Sequence, residues 1–208
     1  MTVTEERHDT SLAQRKAMID SQLRTSGVNE PWILEAMGAL AREDFVPEAM
    51  RSAAYIDRAI PLGGGRMLAA PLVQGRMLAE ARPTGADKAL LVGDGAGYLA
   101  ALLRPLVGSL DAVDPSDAAQ PIAGGPIAGG PIAGGYSLVV IDGAIETLPQ
   151  PLCDSLADDG RIVTGQVLRG VTRLAVGRKA AGKVALLPLA EIGIPPLPEF
   201  AAPKRWSF

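Results

Sequence analysis

Gly93-Asp94-Gly95-Ala96-Gly97 stands between a short apolar run, Ala89 to Val92, and a stretch from Tyr98 to Val107 that is apolar at helical spacing. A glycine-rich turn leading from a strand into a helix lets backbone approach a ligand closely while helix amides point outward. Asp114 follows 21 residues after Gly93, at the end of the next apolar run. That is the distance at which an acid accepts both ribose hydroxyls of a bound nucleoside. A dinucleotide fingerprint wants its third glycine five positions after the first, where this chain has Tyr98; here it comes at offset four. The spacing favours an adenosine cofactor other than NAD. A plainer reading stands beside this one: the glycines permit a tight turn, and Asp114 caps the following segment. These residues alone leave the two readings balanced.

Other chemistries lack their parts. The single cysteine, Cys153, allows no internal disulfide and no cysteine-based zinc site, and the one histidine, His8, lies near a polar terminus. No metal site is expected. A net charge of -3, from 20 basic and 23 acidic residues, gives no reason to expect nucleic-acid binding. The opening MTVTEERHDT reads as no signal peptide, so a cytoplasmic protein is expected. The most membrane-like stretch, Ala89 to Leu110, carries Asp94, Arg104 and three loop glycines, and no membrane association is expected. With 208 residues, 48% of them hydrophobic and 21% charged, the chain has room for one domain with a real core.

The elements that must position the glycine turn follow from periodicity. Leu12, Met18, Ile19 and Leu23 recur at helical spacing between Ser11 and Thr25, with Gly27 as a stop. Asn29 and Pro31 open a second helix whose buried face is Ile33, Leu34, Met37 and Leu40, ending near Arg42. A short helix is predicted within 45–55, a loop over 61–65 and a helix over 71–81. Residues 1–82 thus form a helical portion. From 83 onward the pattern changes to strands at 89–92, 110–113, 138–141 and 161–164, helices at 98–107 and 149–158, and an antiparallel hairpin pairing 173–178 with 184–189. Strands alternating with helices give an α/β fold, a parallel sheet covered on both faces with the hairpin at its edge. The runs 110–114 and 138–142 should flank 89–92, because unbroken apolar character requires burial on both faces.

Pro-Ile-Ala-Gly-Gly occurs three times without interruption over 121–135, which places three prolines and six glycines in fifteen residues. That content opposes helix and central strand alike, so the segment reads as a loop.

Leu23-Arg24-Thr25-Ser26-Gly27-Val28, Val46-Pro47-Glu48, Ala54-Tyr55-Ile56-Asp57, Ile60-Pro61-Leu62-Gly63 and Val140-Ile141-Asp142-Gly143-Ala144, in this order, resemble the protein-L-isoaspartate O-methyltransferase family. The resemblance covers most of the chain except the repeat. It implies a Rossmann-like methyltransferase sheet behind a helical N-terminal portion, in one domain over 1–208. It also implies S-adenosylmethionine held by Gly93, Asp94, Gly95, Gly97, Asp114 and Asp142, and methyl transfer to the carboxylate of L-isoaspartyl residues in damaged peptides and proteins, which starts their repair. The reaction needs an ionised carboxylate placed in line with a sulfonium methyl, with water excluded.

The chain also departs from that family. Its loop usually continues as Gln-Thr-Ile-Ser-Gln-Pro, with the serine hydroxyl at the reacting carboxylate, whereas this chain has Arg66-Met67-Leu68-Ala69-Ala70-Pro71. Ala69 thus replaces the expected serine. Arg66 is the candidate for a charge-assisted contact to a carboxylate, its alternative being simple solvation. Leu91 stands where the family's first strand carries an acid. Between Asp114 and Tyr136 only 21 residues remain, too few for the strand, helix and adenine-contacting turn of the family, so the sheet is expected to be shortened in the middle. The alternative reading is a degenerate member that keeps the fold as a binding or structural protein and transfers nothing.

Overall fold

The computed structural model describes residues 3–119 and 134–203, so most of the Pro-Ile-Ala-Gly-Gly repeat lies outside the described residues, and with it the expectation of a loop there. Helix α1 (Val3–Met18) runs on through a π-helical turn at Ile19–Leu23 and a 3-10 turn at Arg24–Ser26, closing at Gly27. Met18 and Leu23 are buried as the spacing predicts, but Leu12 is exposed. Arg15 takes the inward position instead, donating from Nε to the Tyr55 hydroxyl at 3.0 Å and from Nη1 to the Gly38 carbonyl at 3.1 Å. A guanidinium with buried partners thus does what an apolar residue was expected to do.

Helix α2 (Pro31–Ala39) buries Ile33, Leu34 and Met37, and its Pro31 sits in the first turn, where a missing N–H is harmless. The expected helix within 45–55 is two 3-10 turns, Arg42–Phe45 and Glu48–Ala53, interrupted where Pro47 cannot continue either. The expected loop over 61–65 is the turn of a small hairpin, β1 (Ile60–Gly63) with β2 (Arg66–Leu68). Gly63, Gly64 and Gly65 all have positive φ, at 96°, 57° and 79°, a run of left-handed backbone that side chains with a Cβ resist. Helix α3 (Pro71–Ala81) follows, as its spacing predicts.

The main sheet has six strands in the order β4-β3-β5-β6-β7-β8. Its parallel part is β3 (Lys88–Val92), β4 (Ser109–Val113), β5 (Tyr136–Ile145) and β6 (Leu156–Leu168), and β7 (Val171–Ala180) with β8 (Lys183–Glu191) makes the antiparallel edge. As expected, β4 and β5 flank β3, with Val92 aligned to Val113 on one side and to Ile141 on the other. Ala89 and Leu91 of β3, with Leu138 and Val140 of β5, face the helical N-terminal portion and α4 (Tyr98–Leu103). Leu90, Val92, Val139 and Ile141 face the opposite way, onto Leu152 of α6 (Gln150–Ser155) and Phe200. Burial of successive residues on two faces explains why these strands read as unbroken apolar runs. Strand β6 begins earlier than its apolar residues suggest and α6 ends sooner, because Leu156 already pairs with Tyr136.

One polar cluster ties the amino ends of the parallel strands together. Asp87, nearly fully buried, accepts from the Thr84 N–H at 2.7 Å, from Ser137 Oγ at 2.6 Å and from Arg161 at 2.9 and 2.7 Å. Arg161 also donates to the Ala81 carbonyl at 2.7 Å, so the end of α3 is held to β6. Burial alone would raise the Asp87 carboxyl, but the hydrogen bonds of Arg161 and Ser137 outweigh it and hold the group well below the usual carboxylate range. Removing the acid strands a partly buried guanidinium, so Asp87→Ala should cost on the order of 3–5 kcal/mol of stability. Chemical denaturation at neutral pH checks this; a loss under about 1 kcal/mol, as for an exposed pair, would rule it out.

Candidate functional site

Strands β3 and β4 end side by side, β5 runs past them to Ile145, and at the carboxyl ends of the first two lies a cavity of about 470 Å³. That size falls among small-molecule sites, which run to roughly 300–1,000 Å³. Three segments build its walls. The glycine turn after β3 contributes Gly93, Asp94, Gly95 and Gly97; the β1–β2 hairpin contributes Leu62 to Leu68 in part, including Arg66; and Pro195, Pro196 and Leu197 close the far side. Asp114, Asp142, Phe45 and Tyr98 complete the lining. All seven residues singled out from the sequence as ligand-facing therefore meet in one place: Arg66, Gly93, Asp94, Gly95, Gly97, Asp114 and Asp142.

The glycine turn is tightly made. A Cβ on Gly95 would lie 2.9 Å from that of Ala112 on β4, so only glycine lets the turn close down on the strand end. Asp94 Oδ1 accepts from the Ala96 N–H at 2.8 Å, which fixes the turn from within. No side-chain hydrogen bond caps α4 at Gly97, which lines the cavity.

Asp114 does two jobs. It caps the short helix α5 (Pro115–Ala118), its Oδ1 accepting from Ser116 N–H at 2.9 Å and Ser116 Oγ at 2.6 Å. The same oxygen accepts from Arg66 Nη2 at 2.7 Å. Burial would raise this carboxyl, but the Ser116 hydrogen bonds and the Arg66 cation lower it on balance. Arg66 also reaches Glu199 Oε1 at 2.8 Å through Nη1. Arg66 is therefore not free in solvent: it bridges the hairpin to an acid on either side of the cavity mouth.

Ala69 is buried one residue beyond the lining residue Leu68, and its carbonyl accepts from Arg42. Arg42 carries no signal in the sequence beyond ending a helix, yet it is fully buried. It donates to the Ala54 carbonyl at 2.8 Å and to Gln74 Oε1, and its guanidinium lies 4.9 Å from the ring centre of Tyr98. Burial lowers its pKa, while Tyr98 and Asp142 nearby act in the other direction. The residues 195–197 were also missed, because a proline-rich stretch far along the chain has no local pattern that points back to β5. Main-chain bonds bring it there: Ala144 N–H donates to the Pro195 carbonyl at 2.8 Å, and Leu197 N–H donates to the Ala144 carbonyl at 2.8 Å. Among the described residues no group of three or more His, Cys, Asp and Glu could hold a metal ion.

Comparison with known proteins bears on the family. The family model described as Protein-L-isoaspartate(D-aspartate) O-methyltransferase matches residues 13–115. A protein-L-isoaspartate O-methyltransferase of Methanoculleus marisnigri is 30% identical over 200 residues, 88% of this chain and 91% of that protein. Protein-L-isoaspartate O-methyltransferase 2 of an Anaeromyxobacter species is 32% identical over 179 residues, covering 78% of this chain and 74% of the relative. In shape the chain is similar to a Plasmodium falciparum protein-L-isoaspartate O-methyltransferase crystallised with S-adenosyl-L-homocysteine, with a TM-score of 0.68 over 91% of this chain and 98% of that one. At 16% identity this last likeness speaks to the fold, a Rossmann-like methyltransferase sheet.

Asp142 has a further property that can be measured directly. It is half-buried in the cavity lining, and desolvation lifts its carboxyl to about 6, with Arg42 opposing and Asp94 adding to the rise. A carboxyl raised in the folded state favours folding below its unfolded pKa and loses that advantage as the pH climbs through the folded value. Asp142→Asn, which cannot ionise, should match the parent near pH 4 and exceed it above pH 7 by up to about 3 kcal/mol. Thermal unfolding at the two pH values without ligand checks this, and a gap that does not widen with pH contradicts it.

Proposed function

The chain belongs to the protein-L-isoaspartate O-methyltransferase family, and from that membership we propose that it transfers a methyl group from S-adenosylmethionine to the carboxylate of L-isoaspartyl residues in damaged proteins and peptides. The observation that carries this reading is one cavity in which the glycine turn, Asp114 after the end of β4, Asp142 within β5 and the family's hairpin loop converge. The features present fit the cofactor. The Gly95 cradle would be filled by any Cβ, Asp114 is an acid at the end of β4, and Asp142 Oδ1 is buried without a partner among the described residues.

When bound, S-adenosylmethionine supplies a sulfonium methyl, which a carboxylate oxygen takes as the S–C bond breaks, leaving a methyl ester and S-adenosylhomocysteine with no proton to move. The chain's own residues do the rest. Asp114 would hold the ribose hydroxyls, Gly93 to Gly97 would let backbone lie against the cofactor, and Phe45, Leu62 and Leu197 would keep water from the reacting atoms. Arg42 keeps the loop at Ala69 in place. Arg66 is paired with Asp114 and Glu199, so a contact from it to an acceptor carboxylate would require it to leave one of these acids. No nucleic acid, metal or membrane takes part in this reading. A cytoplasmic setting is part of it, in keeping with a chain whose lone Cys153 can make no internal disulfide. No helix among the described residues is long and apolar enough to cross a membrane.

A second reading, a non-catalytic member with weak cofactor binding, draws on two features. Ala69 offers no hydroxyl to the acceptor, and Arg66 already occupies one oxygen of Asp114. Calorimetry with S-adenosylhomocysteine, paired with methyl transfer to an isoaspartyl peptide, separates the two: binding without transfer supports the second.

Asp114→Asn should weaken S-adenosylhomocysteine binding by roughly 1.5–3 kcal/mol, the range for hydrogen bonds to a charged group, and Asp94→Asn by less, since Asp94 is spent on its own turn. Equal losses, or none at Asp114, would speak against the assignment. Ala69→Ser should raise methylation of the peptide while leaving cofactor affinity within about twofold; a larger change in affinity than in transfer would place the loop on the wrong side of the reaction.

A further inference from the structure

The cavity is lined by one carboxylate, Asp142, that no cation among the described residues contacts. Asp142 is half-buried in the cavity lining, and its Oδ1, out of contact with solvent, has no hydrogen-bond partner among the described residues. A Cβ on Gly93 would lie 3.1 Å from the Asp142 Cβ, so the acid sits against the start of the glycine turn. The charged groups that face it are Arg42, from the 3-10 turn at Arg42–Phe45, and Asp94, from the glycine turn itself; the phenol of Tyr98, on α4, lines the same cavity. Arg42 is the one cation of these, but its Nε, Nη1 and Nη2 are turned to Ala54, Gln74 and Ala69, and no ion pair joins it to Asp142. Along the cavity Asp114 is already matched by Arg66, whereas Asp142 has no such partner.

A desolvated carboxylate without a contacting cation is costly, and a ligand that brings one turns that cost into affinity. We propose that Asp142 is the receptor for the primary ammonium group at the amino-acid end of the cofactor, so that this chain selects a nucleoside carrying a cationic amino-acid arm over a neutral thionucleoside. The inference rests on the cofactor reading above and goes beyond it in assigning the arm. The sheet supports the placement. Asp114 ends β4 and Asp142 lies on β5 with β3 between them, two strand spacings or roughly 10 Å at about 4.8 Å each. A ribose at the first acid leaves the amino-acid arm to cross the glycine turn toward the second. An anionic acceptor does not suit this spot, since two carboxylates sharing one desolvated site repel each other. An ammonium group both neutralises Asp142 and satisfies its open oxygen.

The test is calorimetry on the full chain with two probes, S-adenosylhomocysteine, which carries the ammonium, and 5′-methylthioadenosine, which lacks the amino-acid arm. At pH 7.5 Asp142→Asn should weaken S-adenosylhomocysteine by about 10- to 100-fold and leave 5′-methylthioadenosine within about twofold. With the carboxyl near 6, the parent should also bind S-adenosylhomocysteine more weakly at pH 5.5 than at pH 7.5, and the variant should lose that dependence. Thermal unfolding of the variant confirms that it is folded. Unchanged S-adenosylhomocysteine affinity in Asp142→Asn overturns the proposal, as does an equal loss for both probes, which would make Asp142 a support for the turn. A parent that binds neither probe overturns the cofactor reading itself, and the assignment with it.

Discussion

A single buried guanidinium holds the site's frame. Arg42 donates to the Ala54 carbonyl, to the Ala69 carbonyl and to Gln74 on α3, and stacks its charge over Tyr98 at the start of α4. Four pieces of chain from separate stretches of sequence are thereby fixed to one planar group. Taking a cation out of water is expensive, and only a full set of acceptors and an aromatic face makes it tolerable. The arrangement is consequently stiff: moving the hairpin loop or the first turn of α4 would strand the charge. The loop at Ala69 and the glycine turn before Tyr98 keep their relative positions for that reason.

The second organising feature is the parallel sheet buried on both faces. Because β3 has β4 on one side and β5 on the other, the turns that leave these strands open onto a shared crevice. The acids at or near the strand ends then differ by what surrounds them. Asp114, partly in solvent and met by Ser116 and Arg66, favours its anion, whereas Asp142, desolvated in the cavity lining and facing Asp94, resists it. Two residues of one type thus offer a ligand two different surfaces, one hydrophilic and settled, one desolvated and unmatched.

What could be seen in the sequence was local. Four apolar runs and the glycine turn after the first of them gave the parallel strands and the α/β plan, because burial on two faces writes itself as an unbroken run. The small hairpin at 60–68 was hidden by its own turn, since three consecutive glycines look like loop whether or not strands meet across them. Arg42 and Arg15 carry no local signal of burial because their partners lie far off in sequence, at Ala54, Ala69 and Gln74 for one and at Tyr55 and Gly38 for the other. Pro195 to Leu197 were invisible as cavity wall for the same reason. The acids of the site were legible as candidates, but which was matched and which was left open depended on Arg66, and only a fold can bring that residue to Asp114.

The clasp between Ala144 and residues 195–197 also bears on the order in which the molecule comes into being. Synthesis runs from the N-terminus, so a nascent chain can pair β3, β4, β5 and β6 well before Leu197 has left the ribosome. At that stage the crevice has its floor, its glycine turn and its acids, but one wall is still in the tunnel. The stretch that supplies that wall is clasped to Ala144 by two main-chain hydrogen bonds, so the crevice beside Asp142 gains it only once that late part of the chain is free to reach β5.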